Sequence, residues 1–307
     1  MEKIKIDFIH IGYHKTASSY LQLNYFKRID QICVLNEDIS ILQKKLWFYN
    51  NFVKSSKENF NKELIIKKIK DALSISKNMN IRNPINCISD ENLSGDIYTG
   101  NNSKLLMNRI HLIFGETKIL IVLRNQIDWL LSAYGNFVLH KGKLSFKKWF
   151  NFYGELLCEK LTFSNLISEY INLFGQKNIN VLTYENLFKI NDGIKIFLKK
   201  NFLINTIPEE KTTKKINLGR SLFLNEAIAK LNNFMPSTYY ARIFRQKLNK
   251  FLTYGFYAKK NYFFALITWV MNGALTTCLT IFEKPVLRRI ALCSSKERTF
   301  PVVIAKV

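Results

Sequence analysis

Gly12, Lys15, Thr16, Ser18 and Ser19 lie close together in the stretch "IHIGYHKTASSYLQ", residues 9–22. A run of β-formers ends at the glycine, and a helix begins after the hydroxyl residues. Strand, turn and helix N-terminus together make an anion site. Backbone N–H groups point outward there, and the helix dipole adds partial positive charge. A nucleoside-triphosphate loop has Gly-x-x-x-x-Gly-Lys-Ser/Thr. Counted from Gly12, its second glycine and its lysine fall on Ala17 and Ser18. The lysine stands at 15 instead, inside the loop, so none is placed for a γ-phosphate. A P-loop nucleotide or small-molecule kinase is therefore the weaker alternative. The plain alternative is a hydroxyl-rich helix start with a solvated lysine.

A second constellation follows an almost uniformly apolar run. "IVLRNQIDWLLSAY", residues 121–134, places Arg124 directly after that run and Ser132 on the ensuing helix. Guanidinium is a planar, permanently charged fork suited to phosphate. A serine on the helix adds a neutral hydrogen bond. Taken singly, Arg124 reads as a strand-end surface residue and Ser132 as a helix-packing one.

The order Lys-Thr-small-Ser-Ser after a strand resembles the 5′-phosphosulfate loop of sulfotransferases that use 3′-phosphoadenosine 5′-phosphosulfate (PAPS). The Arg124 and Ser132 pair is similar to their 3′-phosphate motif. Two departures stand out: Ala17 where that family usually has glycine, and Gln126 where proline is common. If position 17 needs a positive φ, alanine carries a steric cost there. "CISDENLSG" (87–95), "VLTYENLF" (181–188) and "KINLGRSL" (215–222) are weaker echoes. The resemblance spans roughly residues 4 to 230. It implies PAPS as co-substrate, with Gly12, His14, Lys15, Thr16, Ala17, Ser18, Ser19, Arg124 and Ser132 around it. It implies an acceptor hydroxyl, by family style that of a saccharide or glycoconjugate, and no required metal.

Sulfuryl transfer needs charge stabilisation at the leaving phosphate, expected from Lys15, and a base for the acceptor proton. Sulfotransferases use His or Glu as that base. Glu91, just past a strand, is the first choice, with Asp90 beside it as competitor. His140 and His14 are the alternatives. His10 on its strand and His111 on a helix read as structural, and Glu185 as a residue that hydrogen-bonds a loop beside the donor site. No cluster of carboxylates and histidines indicates a metal.

The elements that position these residues read as an α/β chain. Strands are expected at 3–11, 86–89, 118–123 and 178–184. Helices are expected at 18–28, in two stretches of 37–78, at 103–115, 126–139 and 192–202. Their alternation implies a P-loop-like parallel sheet flanked by helices. After about residue 216 the chain turns helical, up to a possible last strand at 299–307. The domains expected are 1–220, the sulfotransferase-like α/β domain, and 221–307, a helical extension docked on the core or at a membrane surface. Residues 261–282 carry no charge, but Thr268, Asn272, Thr276 and Thr280 make a polar stripe. That favours a core-packed or interfacial helix over a spanning one, and peripheral membrane contact through 240–289.

The 307 residues carry a formal net charge of +23. The excess suits an anionic partner: nucleotide, nucleic acid, acidic saccharide or membrane surface. The lysines are scattered, though, as codon bias alone produces. A non-catalytic nucleic-acid binder needs basic stripes interleaved with exposed aromatics. The 24 phenylalanines fall mostly in apolar faces, so no nucleic acid is expected. The five cysteines are widely spaced without a CxxC pair, which indicates neither a zinc site nor a disulfide framework. With a charged strand at the start and no signal-peptide pattern, a cytoplasmic location is expected.

Overall fold

The computed structural model describes residues 3–36, 45–79, 81, 83–187, 193–204 and 221–234. The strands are β1 Phe8–Gly12, β2 Ile32–Val34, β3 Ile85–Ser89, β4 Lys118–Leu123 and β5 Ile179–Thr183. The helices are α1 Ser18–Leu21, α2 Lys45–Phe48, α3 Lys62–Asn78, α4 Ser103–Phe114, α5 Gln126–Leu139, α6 Phe146–Leu161, α7 Phe163–Phe174, α8 Tyr184–Leu187, α9 Gly193–Phe202 and α10 Leu222–Phe234. All strand pairs are parallel, in the order β2-β3-β1-β4-β5. The protein is thus α/β, a parallel sheet flanked by helices. The described residues form two compact units, one from within Met1–Asn125 and Thr162–Lys214, the other from within Gln126–Leu161 and Lys215–Lys296.

The first unit holds the sheet. Its strands read as continuous apolar runs because both faces are covered. Phe8, Cys87, Leu120 and Val122 on one face join a buried cluster with Leu21, Tyr25 and Phe26, and with Ile194, Phe197 and Leu198 of α9. Phe8 is its hub, with ring centroids 5.6 Å from Phe26 and 5.5 Å from Phe197, both edge-on. The alternate residues Ile9, Ile11, Ile88, Ile119 and Ile121 are buried too. Arg109 on α4 is buried and donates to the carbonyls of Phe52, Ser55 and Ser56. Its guanidinium also lies 4.2 Å over the Phe60 ring, which anchors that connection without a carboxylate.

Several boundaries differ from the expected ones. β1 starts at Phe8 rather than residue 3, because the preceding backbone bonds elsewhere. Ile4 N–H donates to Ile113 O, and Ile6 O accepts from the Thr117 hydroxyl. The helix expected over 18–28 is α1 running into a π-turn, Gln22–Phe26, in which Lys27 N–H reaches back to Gln22 O. β2 is an edge strand of three residues. Cys33 and Cys87 are buried thiols, and Cys158 on α6 is disulfide-bonded, a bond that the cysteine spacing did not indicate.

The expected helices beyond residue 234, the apolar stretch 261–282, the strand at 299–307 and most of the loop 215–222 lie outside the described residues. The expected location needs correction. Among the described residues no helix is long and apolar enough to cross a membrane. The segment on which membrane association was built lies outside them, and neither that association nor the cytoplasmic placement is carried forward.

In the second unit α10 fastens the α5–α6 connection. The Asn232 side-chain amide donates to Val138 O and Gly142 O, and Asn233 donates to Lys143 O. Tyr134, Phe146 and Trp149 pack ring to ring beside it. Glu226 is fully buried and accepts the Phe146 N–H. Burial pushes its carboxyl above the ordinary range, more than the Phe146 N–H, the Tyr134 hydroxyl and Lys230 pull it down. The fold therefore prefers the protonated acid. Its contribution is full below the unfolded pKa, about 4.3, and is lost as pH rises through the folded value. Glu226→Gln keeps an acceptor for Phe146 and never ionises. Its melting temperature should match wild type near pH 4 and exceed it by a few degrees at pH 7. Parallel melting curves of the two proteins across that range would show Glu226 to be ionised at no cost.

Candidate active site at the carboxyl ends of the strands

Gly12, Ser89 and Leu123 end three adjacent parallel strands, so the loops that follow share one edge of the sheet. In open α/β sheets ligands bind at this edge, where successive connections leave in opposite directions. β1 is that point here, since its connection leads toward β2 and that of β4 toward β5.

The loop after β1 folds back on itself. Tyr13 N–H continues the ladder to Val122 O at 3.3 Å. The Thr16 N–H and hydroxyl both donate to Tyr13 O, which closes a tight turn. A Cβ on Gly12 would lie 2.0 Å from Ser18 Oγ, so only glycine fits the strand end. Ser18 is buried and its hydroxyl has no hydrogen-bond partner. Ser19 is exposed, Lys15 half-buried and His14 buried. Ala17 precedes α1 as its cap residue and offers no side-chain bond, so the first N–H groups of the helix have no side-chain cap.

Lys15 and Ala17 both have left-handed backbone, with φ of 66° and 71°. The suspicion about position 17 is thus answered: the loop does take the conformation that glycine adopts without strain. Left-handed backbone costs an L-residue about 1–2 kcal/mol. Part of that is offset because glycine has more freedom to lose on folding. Ala17→Gly should raise stability by about 0.5 kcal/mol, read as a higher melting temperature. A lower one would mean that the methyl group, which packs against the core cluster, matters more than the strain.

The turn after β3 abuts this loop. Asp90 is buried and caps the turn Glu91–Ser94 by accepting from the N–H and side-chain amide of Asn92. That gives Asp90 a structural task; Glu91, the first residue of the turn, is half-buried. His14 seats the loop on the turn, with Nε2 3.4 Å from Asn92 Oδ1 and Nδ1 3.5 Å from Ser94 Oγ. Beneath, His10 is fully buried with Nδ1 2.8 Å from Ser89 Oγ. The Gln22 amide donates to Ser89 Oγ and O, and Asn36 exchanges bonds with the Ser89 backbone. This network fixes the ends of β1 and β3.

After β4, Arg124 reaches the loop. Its Nη1 donates to Lys15 O at 3.2 Å, and its Cζ sits 4.4 Å over the Tyr184 ring. Its Nε is enclosed without a hydrogen-bond partner. Asn125 N–H donates to Glu185 Oε1 at 3.0 Å, a loop bond of the kind expected of Glu185.

The first unit therefore brings the 12–19 loop, Glu91 and Arg124 together. Ser132 lies on α5, in the second unit, and is half-buried. His140 is exposed, with Nδ1 2.9 Å from Asn136 O one turn back in the same unit. His111 packs edge-on against Phe174, where burial pulls its pKa down. Tyr184 and Asn92 also lie at this edge; the sequence reading met them only inside its weaker echoes, 181–188 and 87–95. Their signal is positional: each follows a strand end on the same edge. Among the described residues no group of three or more His, Cys, Asp or Glu side chains is arranged to hold a metal.

The chain resembles two solved sulfotransferase structures. One is the sulfotransferase from Alicyclobacillus acidocaldarius, 15% identical, with TM-score 0.45, covering 74% of this chain and 92% of that one. The other is the sulfotransferase domain from the curacin biosynthetic pathway, 11% identical, with TM-score 0.43, covering 81% and 99%. No protein-family model matches, and no curated protein does. At these values neither likeness carries an activity to this chain.

Proposed function

We propose that the protein is a sulfotransferase that moves a sulfuryl group from PAPS to an acceptor hydroxyl. The supporting observation is the Arg124 to Lys15 contact, which joins two cationic residues 109 positions apart on one strand edge. Ser18 stands where a triphosphate loop would have its lysine, and it is buried against Gly12. A kinase reading thus lacks its γ-phosphate ligand.

In this reading the acceptor oxygen bonds to sulfur as the bond from sulfur to the bridging phosphate oxygen breaks. The acceptor proton passes to Glu91, and 3′,5′-adenosine bisphosphate departs. Lys15 stabilises charge growing on the leaving 5′-phosphate. The N–H groups of residues 17–19 hold that phosphate, with Ser18 and Ser19 as side-chain donors. The Thr16 N–H and hydroxyl both already donate to Tyr13 O, so Thr16 serves chiefly by shaping the loop. Arg124 takes the 3′-phosphate, and Ser132 joins it on sequence spacing. The acceptor class follows from the resemblance: a saccharide or glycoconjugate hydroxyl.

The test is thermal protection. 3′,5′-Adenosine bisphosphate without magnesium should raise the melting temperature, and Mg-ATP should not. Protection by Mg-ATP alone would favour a kinase. Protection by neither ligand, with a steep salt dependence for DNA or RNA, would favour a nucleic-acid binder. Glu91→Gln should keep bisphosphate affinity and lower turnover about 10²-fold, the usual scale for a general base. Turnover within a few-fold of wild type would return the role to His14 or His140.

A further inference from the structure

We propose that Tyr184 is a positioning residue that sets the plane of the Arg124 guanidinium and so determines how strongly the site prefers a 3′-phosphorylated nucleotide; this rests on the sulfuryl-donor reading above. The sheet register explains how the two meet. Leu123 pairs with Thr183 in the parallel β4–β5 ladder. The next residue of each chain segment, Arg124 and Tyr184, therefore leaves the sheet from neighbouring strand ends. The second residues of the two segments are tied as well, Asn125 N–H to Glu185 Oε1.

A guanidinium donates only in its own plane, so the tilt of that plane decides where its hydrogen bonds go. Two interactions fix it here. The Tyr184 ring lies 4.4 Å from Cζ and covers one face. The Lys15 carbonyl takes one in-plane N–H, which sets the rotation about the stack. The remaining donors are left in a defined direction, and Nε is enclosed with no acceptor among the described residues. The same bond holds the carbonyl of a residue with left-handed backbone, so the stack also steadies the peptide that carries the loop lysine. In this arrangement Tyr184 acts on Arg124 through its ring face.

The experiment compares calorimetric affinities for 3′,5′-adenosine bisphosphate and adenosine 5′-monophosphate, without magnesium, in wild type, Tyr184→Phe, Tyr184→Leu, Arg124→Lys and the Leu/Lys double variant. Wild type should prefer the bisphosphate strongly. Tyr184→Phe should keep that ratio within about twofold, and Tyr184→Leu should reduce it about tenfold while monophosphate affinity stays within about threefold. Tyr184→Met reads the same way if Tyr184→Leu does not fold. In the Arg124→Lys background, where there is no planar fork to stack, removing the ring should change the ratio little further. Equal losses for both ligands in Tyr184→Leu would make Tyr184 a base or structural contact and overturn the positioning role. So would additive effects in the double variant. A wild-type ratio near one would overturn the donor reading itself, and the positioning role with it.

Discussion

Lys15→Ala should slow single-turnover sulfuryl transfer about 10²- to 10³-fold at saturating donor, the range for removing one preorganised charge-stabilising donor. Donor affinity should fall far less, because the interaction strengthens as charge builds on the leaving oxygen. The expectation stems from register. The lysine is inside the loop, on left-handed backbone, and its carbonyl is held by Arg124. Its peptide is thus fixed while its side chain is half-buried at the strand edge. Lys15→Arg should rescue poorly, since a wide planar fork does not replace a compact ammonium. The two measurements are donor Kd by calorimetry and rapid-quench single turnover. Weakened binding with an intact rate at saturation would reduce Lys15 to an anchor and remove it from the chemistry.

Arg124→Ala should weaken 3′,5′-adenosine bisphosphate by about 2–4 kcal/mol, the scale for removing a charge-assisted hydrogen bond from a partly buried site. A nucleotide without the 3′-phosphate should weaken much less. It feels only the loosening of Lys15 O, whose hydrogen bond the variant also removes. The difference between the two effects is the quantity to read. If both ligands weaken equally, Arg124 supports the loop and does not hold the 3′-phosphate.

The strands and helices nearest the site were legible in sequence for identifiable reasons. β4 is an unbroken apolar run bounded by Lys118 and Arg124, and α4 ends on Gly115, whose φ of 66° is that of a helix stop. The position of Lys15 inside the loop after β1 needed only counting from Gly12. β2 was not legible, because three residues give no period to read. α6 hides behind Phe146, Trp149, Phe150, Phe152 and Tyr153, whose rings occupy several sides of the helix. Phe152 among them stays 72% exposed. Strand register was beyond the sequence altogether. Nothing in "VLR" and "LTY" says that Leu123 meets Thr183, and Tyr184 becomes a partner of Arg124 only through that pairing. The structure adds that Asp90 is buried and caps the turn, a task its letter does not reveal.

The π-turn at Gln22–Phe26 has an evolutionary consequence. A π-turn is an α-helix with one residue too many. Wound as a plain α-helix, the same residues would turn everything downstream by about 100° against the loop. Gln22 would keep its reach to Ser89 while Tyr25 and Phe26 swung out of the apolar cluster, or the reverse. The anion loop and the hydrophobic anchor are thus out of phase by one position, and the insertion reconciles them. Deleting the exposed Leu23 should restore a plain α-helix with Tyr25 and Phe26 still in phase, and so should cost less than inserting a residue there. A relative with a plain α-helix at this place must carry its anchoring aromatics one position earlier.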